Sequence, residues 1–207
     1  MEDLIKQIVE LEYEMMDKVN NIGGRASCQN DCITFEMMRT SQFTVWTAPL
    51  LQSYYQDLLD AKAEGRNLLT EKYAWMMEPA LPEEFAKVSY ALPVFSDERR
   101  ARMEETVAVQ VAWAEEFAQR YPHLSGRGRP IHTTEDTPYS TSVETYARGE
   151  LSTYSDRTER MYHDFVLACR EQGRNLTAEA RQAQLRLQGW PSLQAAEDAV
   201  ATRAQKQ

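Results

Sequence analysis

The sequence predicts an all-α protein of about ten helices, built as a tandem duplication of a five-helix unit that gives one compact pseudo-two-fold domain. Apolar residues recur at intervals of three and four along much of the chain, and no stretch shows sustained alternation of apolar and polar residues. Glycine, proline and capping residues separate these periodic segments. The tetrapeptide Gly-Arg-Asn-Leu occurs at residues 65–68 and again at 173–176. Together these features favour helices alone, arranged in two related halves.

Start and stop signals divide the first half into five helices. The first carries an apolar stripe from Leu4 to Val19 and ends before Gly23 and Gly24. The second is predicted to begin after Asn30 or Asp31 and to run to about Trp46. Thr47 is predicted to cap the third helix, which Gly65 ends. Asn67 is predicted to cap the fourth helix, which reaches Met77. Pro82 is predicted to start a short fifth helix within residues 82–92.

The second half repeats this order around one long connection. Ser96 caps the sixth helix, which Tyr121 and Pro122 close. Residues 122–141 are longer than most connections, and we interpret them either as a mobile lid over the seam between the halves or as a disordered loop. The remaining N-caps are predicted at Thr141, in a capping box with Glu144, and at Ser155, Asn175 and Ser192.

An ungapped alignment of residues 35–71 with residues 143–179 indicates the duplication. Chance would match roughly two positions over such a length. The identical pairs are Glu36 with Glu144, Tyr54 with Tyr162, Leu59 with Leu167, Glu71 with Glu179, and the four residues of the tetrapeptide. We therefore place repeat 1 at about residues 1–93 and repeat 2 at about 94–207, within a single domain. Two similar helical hairpins that arose by chance are the alternative.

The repeated tetrapeptide is explained mainly by the chemistry of helix ends. Its glycine suits the left-handed conformation at a helix C-terminus, its asparagine caps the next helix, and its leucine enters the core. Arg66 and Arg174 have no part in the turn. We expect each to pair with the glutamate of its own repeat, Glu36 or Glu144, or else to bind a ligand.

Composition argues against several classes of protein. A net charge of −9 disfavours binding to nucleic acid. No apolar run approaches the roughly 18 residues of a membrane span, and the acidic N-terminus does not resemble a secretion signal. Three cysteines do not suggest a disulfide framework, so a cytoplasmic location is expected. The sequence indicates no cofactor, no nucleic-acid partner and no membrane partner, and it leaves a homodimer open.

Three residues are candidates for catalysis. Glu36 and Glu144 lie at the edges of apolar helix faces, and at the seam they would form a facing carboxylate pair suited to acid–base work. Ordinary salt bridges are the simpler alternative for both. Cys28 precedes a helix N-terminus, an environment that stabilises a thiolate. Two ordinary buried thiols, Cys28 and Cys32, are the alternative, and their spacing is poor evidence for a metal.

Two further pairs are read mainly as structural. Glu159 and His163 are spaced to share a ligand, but the chain lacks the additional motifs of a diiron site, so no metal is predicted. Ser41 and Gly149 occupy matching positions in the duplicated helices. Because glycine costs a helix interior about 1 kcal/mol relative to alanine, this match suggests a close helix crossing at the pseudo-two-fold axis or room for a ligand.

Four longer motifs stand out in the sequence: VNNIGGRASCQ at 19–29, SQF at 41–43 with Trp46, GRNLLTEKYAWMM at 65–77 and TSVETYARGELSTYS at 141–155. Together they resemble an uncharacterised bacterial family, domain of unknown function 4125. The resemblance covers about residues 1–180 and implies no reaction or cofactor. It draws attention to the polar residues within these motifs, which are Asn21, Arg25, Cys28, Gln42, Glu144, Arg148 and Glu150.

The sequence thus favours a protein that binds, with or without transforming, a small polar or anionic metabolite in a cleft between the two repeats. The expected ligand-binding residues are Asn21, Arg25, Gln42, Trp46, Arg148, Glu150 and Tyr154. The alternative is a protein–protein interaction or regulatory module with no active site. Whether the protein is an enzyme stays open at this level.

Overall fold

The computed structural model describes residues 1–20 and 24–204, and this part of the chain is all-helical, as predicted. Its eleven α-helices are α1 Glu2–Asp17, α2 Cys32–Phe43, α3 Ala48–Ala63, α4 Leu68–Met76, α5 Pro82–Ala86, α6 Asp97–Arg120, α7 Pro122–Ser125, α8 Val143–Leu151, α9 Asp156–Glu171, α10 Leu176–Leu187 and α11 Leu193–Ala204. Short 3₁₀ helices occupy Ser27–Asn30, Ser89–Ala91 and Thr133–Glu135. Among the described residues, no helix is both long and apolar enough to cross a membrane.

Most predicted helix starts are confirmed by side-chain caps. The capping oxygen accepts a backbone N–H three residues further on at Asp31, Asn67, Ser96, Ser155, Asn175 and Ser192. Gly65 and Gly173 adopt φ values of 72° and 67°, the left-handed conformation expected of a glycine after a helix. Local chemistry therefore determines where most helices begin and end.

Three predicted boundaries are wrong. Ser142, rather than Thr141, caps α8, and the carboxylate of Glu144 accepts the N–H of Thr133 instead of completing a capping box. The predicted fifth helix stops at Ala86 and is followed by a 3₁₀ turn. Pro122 opens the short helix α7 in a segment predicted to be irregular, because proline is well tolerated at a first helical position.

The connection between α7 and α8 folds back on the start of α8. The backbone N–H groups of Val143 and Glu144 donate to the carbonyls of Pro130 and Ile131 at 2.8 and 3.1 Å. The carboxylate of Asp136 accepts the N–H of Ser142 and the hydroxyl of Thr145. These bonds place the 3₁₀ turn Thr133–Glu135 beside α8.

Helices of the first half of the chain pack directly on helices of the second half. α4 lies on α8, α10 lies on α2, and α3 lies on α9. α1 packs on α2, α3 and α4, while α6 packs on α8, α9 and α10. At the contact between α3 and α9, the hydroxyls of Ser53 and Thr158 are 2.7 Å apart.

An aromatic cluster fills the seam between the two halves. The ring of Trp46 lies 5.0 Å from that of Tyr162 and 6.1 Å from that of Tyr154, and Tyr54 lies 5.2 Å from Tyr154. Trp46 is only 3% exposed and Tyr154 only 4%. These two residues, predicted to bind a ligand, therefore belong to the packed core. A smaller second core joins α7, α10 and α11 to the end of α6.

Gly149 marks the closest approach of α8 to α4. A β-carbon at this position would lie 2.7 Å from Cγ of Met76 and 3.0 Å from the carbonyl oxygen of Lys72. A close helix crossing is therefore present at Gly149, between α8 and α4.

We expect Gly149→Ala to lower the free energy of unfolding by about 1–3 kcal/mol, because overpacking at the crossing outweighs alanine's advantage in a helix of about 1 kcal/mol. Urea denaturation of the two proteins measures the difference. In the double variant Gly149→Ala/Met76→Ala, the loss should be smaller than the sum of the single losses. A stabilised Gly149→Ala variant would contradict the crossing.

Candidate functional site

A cleft of about 390 Å³ opens between α4, α6 and α8. Its volume is at the small end of the range for ligand pockets, about 300–1,000 Å³. Its apolar lining consists of Trp75, Pro79, Phe95 and Met103, and its polar lining consists of Glu78, Arg100, Glu104, Thr133, Thr145, Arg148 and Ser152. Of the residues predicted to bind a ligand, Arg148 lines this cleft.

Arg148 is held at the cleft by two carboxylates and a hydroxyl. Its Nε and Nη2 donate to Glu104 at 2.8 and 2.9 Å, and Nη2 also donates to Glu144 at 2.6 Å. Nη1 donates to the Thr133 hydroxyl at 3.0 Å. The guanidinium of Arg148 therefore has hydrogen-bond partners on all three of its nitrogens. Because two carboxylates surround one guanidinium, the cluster as a whole carries a net negative charge.

Glu144 is an ionised carboxylate in this arrangement. Partial burial raises its pKa, but the backbone N–H of Thr133 and the guanidinium of Arg148 more than offset that effect, so the pKa lies below the ordinary value of a glutamate. A carboxylate with a lowered pKa is poorly suited to act as a general acid near neutral pH. Glu144 therefore fits an orienting role for Arg148 better than a proton-donating role.

The apolar side of the cleft is an aromatic stack. The ring of Trp75 lies 5.4 Å from that of Phe95, with an interplanar angle of 27°, and 5.7 Å from that of Phe85. Phe95 is buried, and so is its neighbour Met103 on α6. The indole Nε1 of Trp75 is buried with no protein partner among the described residues.

On the opposite face of α8, a buried ion network crosses the seam. Nε and Nη2 of Arg39 donate to the two oxygens of Glu12 at 2.7 and 2.5 Å, and Nη2 lies 2.8 Å from Glu150. Gln42 accepts from Arg39 at 2.6 Å and donates to Glu150 at 3.3 Å. Glu12, Arg39 and Glu150 are 1%, 5% and 7% exposed. Of the predicted ligand-binding residues, Gln42 and Glu150 belong to this network.

Lys72 is the second cation of the network. Its ammonium donates to the Tyr146 hydroxyl at 2.9 Å and is only 3% exposed. Burial lowers the pKa of Lys72, but the nearby Tyr146 and Glu150 raise it, and the net shift is upward. Burial raises the pKa of Glu150, but Arg39 and Lys72 outweigh it, so that pKa is lowered. Two cations and two carboxylates therefore balance in the interior.

Sequence reasoning missed Glu12, Arg39 and Lys72. One signal was available for Glu12, because it lies on the apolar face of α1 between the buried residues Ile8 and Met15. A charged residue at such a position needs a buried partner. Arg39 and Lys72 carried no comparable signal, since the residues that neutralise them come from distant parts of the chain.

Arg25, Cys28 and Glu36 lie away from the cleft. Arg25 donates to Asn30 at 2.7 Å and to the carbonyls of Asp17 and Gln29 at 3.0 Å, and it pairs with the Asp17 carboxylate. Cys28 is exposed. Glu36, exposed on α2, accepts from the thiol of Cys32 at 3.3 Å. Asn21 lies outside the described residues.

Two of the expectations for these residues are wrong. Glu36 and Glu144 form no facing pair, because each carboxylate is bound to neighbours of its own. Cys28 and Cys32 are not two buried thiols, because Cys28 is exposed; at Cys32, partial burial and then Glu36 raise the pKa of the thiol. Nothing in this arrangement activates Cys32.

The expected pairs of Arg66 with Glu36 and of Arg174 with Glu144 are also wrong. Arg66 forms a two-pronged bond with Glu71 at 2.9 and 2.8 Å. Arg174 forms the same bond with Glu179 at 2.9 and 2.6 Å. In each case the partner lies in the first turn of the helix that the asparagine caps, so the local pair forms without any distant residue.

Glu159 and His163 serve separate partners. The buried carboxylate of Glu159 accepts from Arg102 at 2.8 Å, and His163 Nδ1 lies 3.0 Å from the Thr106 hydroxyl. Within residues 1–20 and 24–204, no cluster of three or more histidine, cysteine or carboxylate residues is suited to hold a metal ion.

Over the described residues, the fold is all-helical and carries a small, mixed polar and aromatic cleft between α4, α6 and α8. The family model described as Protein of unknown function (DUF4125) matches residues 2–198, so the chain belongs to that family, as its motifs indicated. No curated protein and no solved structure matches the chain.

Proposed function

We propose that the protein binds a small polar or anionic metabolite in the cleft between α4, α6 and α8. The observation that carries the proposal is the pairing of an aromatic wall with two arginines, Arg100 and Arg148, around one opening. Ligand sites are typically apolar cavities with a few placed polar groups, and a volume of about 390 Å³ suits a small molecule. The proposal concerns binding and leaves open whether the ligand is also transformed.

We also propose that the fold is a tandem duplication with an approximate two-fold axis at the contact between α3 and α9. Matching bonds support it: Arg66 with Glu71 and Arg174 with Glu179 have the same geometry. The capping asparagines Asn67 and Asn175 donate to carbonyls of Met15 on α1 and Trp113 on α6. Reciprocal packing of α4 on α8 and of α10 on α2 supports it further. The cleft would then lie between the repeats.

A bacterial, cytoplasmic protein is part of the same proposal. The bacterial origin rests on the family resemblance of the motifs. The cytoplasmic location is supported by Cys28, Cys32 and Cys169, which are all free thiols and suit a reducing compartment.

A thermal-shift screen of the full chain against amino acids, nucleotides and organic acids tests the proposal. A ligand present at about 100 times its Kd stabilises by about 2.7 kcal/mol, which for a chain of this length raises Tm by roughly 5–10 °C. Arg148→Met keeps the aliphatic stem but leaves the carboxylates of Glu104 and Glu144 without their cation beside the cleft, so we expect most of that shift to disappear.

Arg174→Met is the matched control, because it removes an arginine with a similar two-pronged carboxylate bond outside the cleft. The control should keep the full ligand-induced shift. If no compound of a broad library raises Tm of the wild-type protein, the proposal is overturned in favour of an interaction module. A shift that survives in Arg148→Met would place the site elsewhere.

A further inference from the structure

Two charged side chains of opposite sign line the cleft without an ion-pair partner. Arg100 on α6 donates only a long bond, 3.4 Å, from Nε to the carbonyl of Phe95. The carboxylate of Glu78, just beyond the end of α4, makes no hydrogen bond or ion pair within the described part of the chain, although its backbone N–H donates to the carbonyl of Trp75. The other charged residues of the lining, Glu104 and Arg148, are bound to each other. A ligand would therefore meet one uncompensated cation and one uncompensated anion.

The balance of charge disfavours a strongly anionic ligand. The four charged lining residues comprise two arginines and two glutamates, and Glu144 adds a further negative charge behind Arg148. A phosphate group that recruited Arg148 would have to separate it from both carboxylates. Arg100 alone offers an unengaged guanidinium, which is enough for one carboxylate group.

The apolar wall of the cleft determines which part of a ligand can pack against it. Trp75, Phe95 and Met103 present an aromatic and thioether surface beside the two unpaired charges. Such a surface binds a compact apolar group, with additional stabilisation where a second ring stacks on it.

We infer that the cleft takes a zwitterion with an apolar body, of the chemical class of the free apolar amino acids. Arg100 binds the carboxylate, Glu78 binds the ammonium group, and the stack around Trp75 holds the side chain. This inference rests on the proposed function, since it names the ligand class for the same cleft.

Isothermal titration of the full chain with L-leucine, L-methionine, L-phenylalanine and L-tryptophan tests it. For the best binder, two analogues each delete one charge: the amide lacks the carboxylate, and the N-acetyl derivative lacks the ammonium group. We expect each analogue to bind about tenfold more weakly than the parent, as for loss of one charge-assisted hydrogen bond. Phenyl phosphate is the anionic probe and should bind more weakly still.

The variants Arg100→Gln and Glu78→Gln assign each charge to its residue. Arg100→Gln should weaken binding of the parent and the N-acetyl derivative, about fivefold or more, but not binding of the amide. Glu78→Gln should weaken the parent and the amide, but not the N-acetyl derivative. Arg127→Gln and Glu83→Gln are matched controls, since both residues are exposed and lie outside the lining. These controls should bind like the wild type.

The possible failures are distinguishable. Equal binding of the parent and its N-acetyl derivative, or tighter binding of phenyl phosphate than of any amino acid, would overturn the zwitterion and leave the proposed function intact. Binding that neither Arg100→Gln nor Glu78→Gln weakens would overturn the assignment of the two residues. If none of the amino acids binds, the inference is overturned. If in addition no compound of the metabolite library shifts Tm, the proposed function is overturned.

Discussion

Arg39→Met is expected to lower the free energy of unfolding by about 3–5 kcal/mol, as for other buried charge networks that lose one partner. The cation it removes is bound to both oxygens of Glu12 and lies 2.8 Å from Glu150. Methionine fills much of the same volume, so the loss arises mainly from carboxylates left in the interior without Arg39. Lys72 remains, but its ammonium donates to Tyr146.

The loss should depend on pH with a defined sign. In the wild type the pKa of Glu150 is lowered from 4.5, so its contribution to stability is present above pH 4.5 and disappears as the pH falls through the folded-state pKa. Without Arg39, burial raises that pKa, so stability is instead lost as the pH rises through it. The difference between wild type and variant should therefore be largest near neutral pH and smallest below about pH 4.5.

Urea denaturation from pH 4 to pH 8 measures both effects. Arg39→Met/Glu12→Gln/Glu150→Gln is the matched control, because it removes the carboxylates together with their cation and should recover part of the stability. A loss in Arg39→Met of less than about 1 kcal/mol, or one that does not change with pH, would show that the network is not neutralised as the geometry indicates.

Trp46→Ala should destabilise the protein by about 3–5 kcal/mol, the usual cost of deleting a buried aromatic ring. The Trp46 ring lies within 6.1 Å of four other rings, those of Phe43, Tyr54, Tyr154 and Tyr162, and joins the two halves of the chain. Its removal opens a cavity at the seam that the packed helices cannot readily close.

Thermal or urea denaturation of Trp46→Ala measures the loss, and Tyr139→Ala is the control because Tyr139 is 99% exposed. Trp46 does not line the cleft. A Trp46→Ala protein that remains folded should consequently keep the affinity of the wild type for a cleft ligand. Unchanged stability together with lost binding would reverse this assignment and restore Trp46 to the ligand-binding residues.

Helix ends were the most predictable part of the fold because they depend on neighbours in sequence. Asp31, Asn67, Ser155 and Asn175 cap helices through bonds that span three residues. The failure at Thr141 has a local cause, since Ser142 is an equally good cap one residue later. Where two adjacent residues share the same chemistry, tertiary contacts decide between them.

The site was harder to predict because its charges are paired over long distances. Arg148 was named from the motif, but its partner Glu104 is 44 residues away on α6. Gln42 and Glu150 were named as ligand residues, yet they lie 108 residues apart and bind each other in the seam. Arg100 and Glu78 were not named at all, since an unpaired surface charge becomes notable only when a cleft forms beside it.

The packing of α4 on α8 also has a consequence for how the chain is made. The ammonium of Lys72 meets the Tyr146 hydroxyl 74 residues later, and Glu12 and Arg39 are synthesised well before Glu150. The N-terminal part of a chain emerges from the ribosome first, and synthesis adds roughly 5–20 residues per second. The early helices therefore remain for several seconds without the partners that later bury their charges and apolar faces. The protein therefore most needs protection from aggregation during synthesis, while only its first half has been made.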